Sequence, residues 1–148
     1  MTGILTSHAD ARWLVATPEY AGVTAYTGGI GRHYAALLPA LARQGIAVDL
    51  AIETDDELVS DDAGDGIRLI GGGVRRAYRS RRHDVVFAPE WRGLAAMLPR
   101  TAPLLTNLAT GVRLADEVSG FRPADLPIGQ RVVRARQAAA ERHQLYRS

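Results

Sequence analysis

The sequence predicts an α/β fold in which helices flank a parallel sheet. Three observations carry this: apolar runs of strand length alternate with helical segments, Gly or Pro marks most boundaries, and no segment repeats. With 148 residues, 47% of them apolar, the chain suits one domain with one core. Residues 1–12 are expected to form a flexible tail, leaving 13–148 as the domain.

The first apolar run, Trp13-Leu14-Val15-Ala16, ends at Thr17-Pro18 and reads as a buried strand. A helix follows, because Ile30, Tyr34, Leu37, Leu38 and Leu41 share one stripe, Arg43 suits the last turn, and Gly45 can supply a left-handed stop. Pro39 inside that helix removes a backbone donor, so a kink or irregularity is expected over residues 35–39. Ala47 to Ile52 is the next strand. An acidic stretch from Glu53 to Gly66 leads to a short apolar segment at Ile67 to Ile70, a Gly71-Gly72-Gly73 turn and a strongly basic stretch from Arg75 to His83. Asp84 to Ala88 reads as a strand, Trp91 to Leu98 as a short helix, and Pro103 to Leu108 as a strand. One or two helical turns fit Gly111 to Gly120, a loop fits Phe121 to Gly129, and a final helix fits Gln130 to Tyr146. A crossover helix is normally followed by another strand, on which Val132, Val133 and Leu145 would help to pack. The chain is therefore expected to be truncated, with an apolar face exposed on its last helix.

The most informative motif is Thr27-Gly28-Gly29-Ile30-Gly31, placed between the first strand and the first helix. Without Cβ atoms, glycines let a ligand approach the backbone closely. The unpaired N–H groups opening the helix, at the positive end of its dipole, favour an anion there. The same turn can equally be only a tight loop entering a helix.

Composition excludes several classes. A net charge of +2, with every basic side chain an Arg or His, does not predict nucleic-acid binding. No apolar run approaches the ~18 residues of a membrane span and no secretion signal opens the chain, so a cytoplasmic protein is expected. With no Cys there is no thiol catalysis. His8, His33, His83 and His143 have no metal-ligand spacing, and no metal is assigned; His33, one turn into the first helix, is within reach of a phosphate. Asp61, Ala63, Asp65 and Gly66 break the calcium-loop pattern at the third ligand, which leaves a solvated loop. Arg75, Arg76, Arg79, Arg81 and Arg82 form either a solvated face or a dock for anionic lipid or a phosphate-bearing acceptor. Ser119 lacks the glycine that a nucleophile elbow needs before it.

Three ordered segments resemble the N-terminal domain of family 4 retaining glycosyltransferases of the GT-B fold, related to glycogen and starch synthases. The first is Pro18-Glu19-Tyr20 with Thr27 to Arg32 and Leu37 to Gly45. The second is Asp84-Val85-Val86-Phe87-Ala88-Pro89-Glu90-Trp91-Arg92-Gly93, similar to "DVVEAPEWGG". The third is Pro103-Leu104-Leu105-Thr106-Asn107-Leu108-Ala109-Thr110-Gly111, similar to "PLVVRLHTP". The resemblance implies a Rossmann-like half of a two-domain enzyme that moves sugar from a nucleotide sugar to a sugar or lipid-linked acceptor, with no cofactor beyond that donor and with a C-terminal donor domain that this chain lacks. It also implies diphosphate contact at Gly28, Gly29 and Gly31, and acceptor contact at Glu90, Asn107 and Thr110. The chain departs from the family pattern at Ala109 and Tyr26, which stand where the family carries His and Lys, and at Phe87 and Pro89, where "HAHDW" relatives carry His. No catalytic residue is assigned, and an isolated half-site is expected to be inactive.

Two further readings stay open. A non-catalytic remnant or binding module would keep the fold and weak ligand affinity. A dinucleotide-binding oxidoreductase domain would use Glu53 as ribose partner, although Gly29-x-Gly31-x-x-Tyr34 lacks the third glycine of that fingerprint. Glu90 has its own bland alternative, which is to cap the segment beginning at Trp91.

Overall fold

A computed structural model describes residues 11–64, 66–109 and 111–148. The tail expected over residues 1–12 therefore falls almost wholly outside the described residues. Five parallel strands form one sheet in the order β3-β2-β1-β4-β5, with β1 at Arg12–Thr17, β2 at Ala47–Ile52, β3 at Ile67–Ile70, β4 at Val85–Pro89 and β5 at Leu104–Asn107. Four helices accompany them: α1 at Gly29–Arg43, α2 at Gly73–Ser80, α3 at Val112–Val118 and α4 at Ile128–Leu145. The α/β, Rossmann-like arrangement read from the sequence is the observed one.

Alternation along the strands divides the core in two. Leu14, Ala16, Ala51, Val86 and Ala88 face Val74 and Ala77 of α2, while Val15, Val48, Leu50 and Phe87 face Tyr34 and Leu38 of α1. Both faces are covered, which is why the strands read as nearly continuous apolar runs. Tyr34 and Phe87 stack with ring centroids 5.3 Å apart and tie α1 to the centre of the sheet.

Asp49 is the exception in β2: a carboxylate with 1% of its side chain exposed, held by Arg68 at 2.9 and 3.0 Å and by His83 Nε2 at 3.0 Å, with Arg12 at 3.6 Å and Arg81 at 3.9 Å. Burial alone would raise its pKa. The bonds from Arg68 and His83 and the charges of Arg68 and Arg12 outweigh that and hold it below the ordinary Asp value.

Several local expectations change. α1 runs helical through Pro39 without the expected irregularity, with Tyr34 and Leu38 on either side of the missing bond fully buried. Gly45 does provide the stop, at φ 85°. The short helix expected over residues 91–98 shrinks to a 3₁₀ turn at Trp91–Gly93, because Arg92 adopts φ 65° and Gly93 φ 59°. Gly93 lies so close to α4 that a Cβ there would meet the backbone carbon of Ala140 at 2.5 Å. α4 starts at Ile128, two residues earlier than expected, and the preceding loop contains a 3₁₀ turn at Pro123–Asp125.

α4 presents its apolar side chains outward: Val132, Val133 and Leu145 are 45%, 55% and 40% exposed, as the sequence led one to expect. Its two buried side chains, Glu141 and Gln144, are polar. Gln144, fully buried, accepts from the Ala95 N–H and donates to the Pro89 carbonyl, both at 2.9 Å. Arg147, just past the helix, donates to the carbonyls of Ala96 and Leu98.

Candidate functional site

β1 is the strand from which the sheet grows in both directions, towards β2 and β3 on one side and β4 and β5 on the other. Ligands of open α/β sheets collect beyond the carboxyl ends of the strands at such a switch point. A cleft of about 780 Å³ opens there, walled by Pro18, Glu19 and the Gly28-Gly29-Ile30 turn on one side and by Trp91, Arg92 and the Asn107-Leu108-Ala109 segment on the other. Thr54 and Asp56, from the segment after β2, line it too. That segment is fastened to the β1–α1 loop by the Val59 N–H, which donates to the Val23 carbonyl at 2.8 Å.

The glycine turn opens α1 as expected, with Gly28 as an extended N-cap that has no side chain to close the helix. Glu19 closes it instead: the Gly28 N–H donates to Oε2 and the Gly31 N–H to Oε1, each at 2.9 Å. A carboxylate is favoured there for the same reason that a phosphate is. The N–H groups of Gly29 and Ile30 have no acceptor among the described residues.

Each glycine of the turn has its own explanation. A Cβ on Gly28 would meet Glu19 Oε1 at 2.9 Å, and one on Gly31 would meet Thr27 Cγ2 at 2.9 Å and the Glu19 backbone at 3.1 Å. Around Gly29 nothing lies within 4 Å. Its missing Cβ therefore serves no contact within the chain, and the space above it belongs to the cleft.

Carboxylates close other helix openings by the same means. Glu53 Oε1 accepts from the Val74 N–H of α2 at 2.9 Å, so the residue weighed as a ribose partner is engaged in capping. Glu141 of α4, 6% exposed, accepts from the Arg92 N–H at 3.0 Å and from the Val112 N–H of α3 at 2.9 Å. Of these three carboxylates only Glu19 lines the cleft.

The residues singled out from the sequence separate accordingly. Gly28, Gly29 and Asn107 line the cleft, and so do His33, Tyr26 and Ala109. Gly31 is buried, with its N–H turned to Glu19. Glu90 follows β4 and bonds through its backbone N–H to the Asn107 carbonyl at 2.9 Å; its side chain makes no capping bond, a task that Glu141 performs at Arg92. Thr110 and Asp65 lie outside the described residues. Arg75, Arg76, Arg79, Arg81 and Arg82 are exposed on and after α2, away from the cleft lining, although Arg81 reaches towards Asp49. Among the described residues no group of His, Asp and Glu is arranged to hold a metal ion, and no helix is long and apolar enough to cross a membrane.

Tyr34 is fully buried, with its hydroxyl near the side chain of Asn107, which lines the cleft. Its hydroxyl is buried without a hydrogen bond of normal geometry among the described residues. Burial pushes the phenol pKa well up, and the nearby Asn107 side chain opposes this only in part. Glu19 is the contributor that sequence reasoning missed. Pro18-Glu19-Tyr20 was conspicuous as a motif, but no spacing rule announces a carboxylate that folds back on amides nine and twelve residues ahead.

No protein-family model, curated protein or solved structure matches the chain.

Proposed function

We propose that this chain is the acceptor-side, N-terminal domain of a retaining glycosyltransferase that uses a nucleotide sugar. One observation supports this above others: the three separate segments that carry the family resemblance all contribute walls to the same cleft, through Glu19 and Gly28 to Ile30, through Trp91 and Arg92, and through Asn107 to Ala109. Adjacent parallel strands β1, β4 and β5 bring the three segments to one sheet edge, where a shared ligand site would lie.

In this reading the leaving diphosphate sits at the Gly29 and Ile30 N–H groups, where the α1 dipole stabilises developing negative charge. Asn107 on the opposite wall holds acceptor hydroxyls, with Glu90 beside it. Transfer needs no metal, and the nucleotide and sugar are gripped by a donor-side domain in the same polypeptide or in a partner. Tyr26 and Ala109 supply neither the ammonium nor the imidazole that the family uses, so stabilisation of the leaving group falls on the helix dipole and on that second domain. We read the chain as cytoplasmic.

The Glu19 bonds favour one other reading, a binding module that has given up turnover, because an anion from the chain itself already takes two amides of the turn. Titration of UDP, GDP and ADP by calorimetry and thermal shift separates the possibilities when run alongside Gly29→Asp. This variant should fold, since its Cβ has free space and Gly29 is exposed, so the new carboxylate can turn to solvent away from Glu19. The transferase reading predicts that one nucleotide binds the wild type, adding about 2.7 kcal/mol of stability at a hundredfold excess over Kd, and that the variant loses the effect. A stable protein that ignores all three nucleotides would favour the module with another ligand.

A further inference from the structure

Glu19 occupies, from within the cleft wall, half of the site that the proposed function assigns to a diphosphate. Its main chain is fixed, because the Thr17 hydroxyl donates to the Glu19 carbonyl at 2.8 Å and Gly31 packs against the Glu19 backbone. Only its side chain is left to move. The two bonds it makes use one carboxylate oxygen each, and together they imitate two oxygens of a phosphate at a helix opening. A diphosphate entering beside Gly29 would meet this carboxylate at close range in a half-buried setting, where like charges repel strongly.

We propose that Glu19 is an internal competitor for the anion site, and that a diphosphate binds by displacing the carboxylate from Gly28 and Gly31. This inference rests on the reading of the cleft as a diphosphate site. Displacement frees the N–H groups of Gly28 and Gly31, beside those of Gly29 and Ile30 that already lack an acceptor among the described residues. Arg92 stands on the facing wall of the same cleft. The glycines fit this division: Gly28 is small to admit the resident carboxylate, whereas the space over Gly29 is left for the visitor. Glu53 and Glu141 close their helices outside the cleft, so the competition is peculiar to Glu19. An empty cleft thereby remains neutralised, and a singly charged anion gains too little from two remaining amides to lodge there.

The test compares wild type with Glu19→Gln and Glu19→Ala, using inorganic pyrophosphate as the probe in calorimetry. Glu19→Gln removes the charge yet keeps one amide oxygen as an acceptor, so it folds even if Glu19→Ala does not. The proposal predicts pyrophosphate binding at least tenfold tighter in Glu19→Gln than in wild type, together with lower stability towards urea. Unchanged or weaker pyrophosphate binding, or none in either variant, overturns it. UDP, GDP and ADP run in parallel keep the two ideas apart. Tighter pyrophosphate binding with no nucleotide binding in any form would sustain the competitor and refute the transferase reading. Nucleotide binding that ignores Glu19→Gln would do the reverse.

Discussion

Replacing Asp49 by Asn removes one charge from the middle of β2 while keeping size and shape. Asp49 is buried to 1% exposure and receives two bonds from Arg68 and one from His83 Nε2. Breaking a fully buried ion pair by removing one partner costs about 3–5 kcal/mol. Arg12, Arg68 and Arg81 retain 35%, 44% and 39% exposure and can recover water, so the expected loss lies near the lower limit, about 3 kcal/mol at pH 7. For a domain of this size that is a fall in Tm of roughly 6–12 °C. The pH dependence carries a sign. Because the folded-state pKa is depressed, the folded protein binds fewer protons than the unfolded chain in acid. The carboxylate's contribution is thus complete above the unfolded Asp pKa of about 3.9 and disappears as pH falls through the lower folded value. Urea unfolding of both proteins from pH 7 down to pH 2 should show a gap that is widest near neutrality and closes in acid. A gap of constant size across that range, or no gap at pH 7, would refute the assignment of stability to this charge.

Other substitutions follow from the same contacts. Gly29→Ala should be neutral or stabilise by about 0.4–1 kcal/mol, since its Cβ has free space. Gly93→Ala, strained at φ 59° and driven into Ala140, should cost about 3 kcal/mol or more, as urea midpoints would report. Tyr34→Phe should leave thermal stability within about 1 kcal/mol of wild type or raise it, because the hydroxyl it removes makes no hydrogen bond of normal geometry among the described residues. Glu141→Ala strands the Arg92 and Val112 N–H groups and should cost about 2–5 kcal/mol, with earlier proteolysis within α4; equal protease resistance would contradict the capping role.

Much of this fold was legible because its strands are buried on both faces. β2 matches the apolar run Ala47–Ile52 end to end, set between the Gly45 turn and the acidic stretch. α1 was legible through its stripe, and Pro39 misled only because packing of Tyr34 and Leu38 overrides a single missing bond. α2 was overshadowed by composition: Val74, Ala77 and Tyr78 make an i, i+3, i+4 stripe, but it spans only about two turns and is interleaved with Arg75, Arg76 and Arg79. The failed helix at Trp91 has a tertiary cause, the close approach of Ala140 to Gly93, which no local pattern encodes. In the site, the glycine turn was visible as a motif ahead of α1, and Asn107 as the residue that ends β5. The carboxylates of Glu19, Glu53 and Glu141 were not, since each reaches a helix opening through a side-chain bond spanning from nine to 49 residues.

The central claim is that a nucleoside diphosphate binds at the opening of α1. Amide NMR of the labelled chain during titration with UDP, GDP and ADP tests it most directly. The account predicts saturable shifts for one nucleotide, largest at the Gly28 to Gly31 amides and at the Asn107 side-chain amide. Shifts confined to the exposed arginines of α2, or none at any concentration, would contradict it.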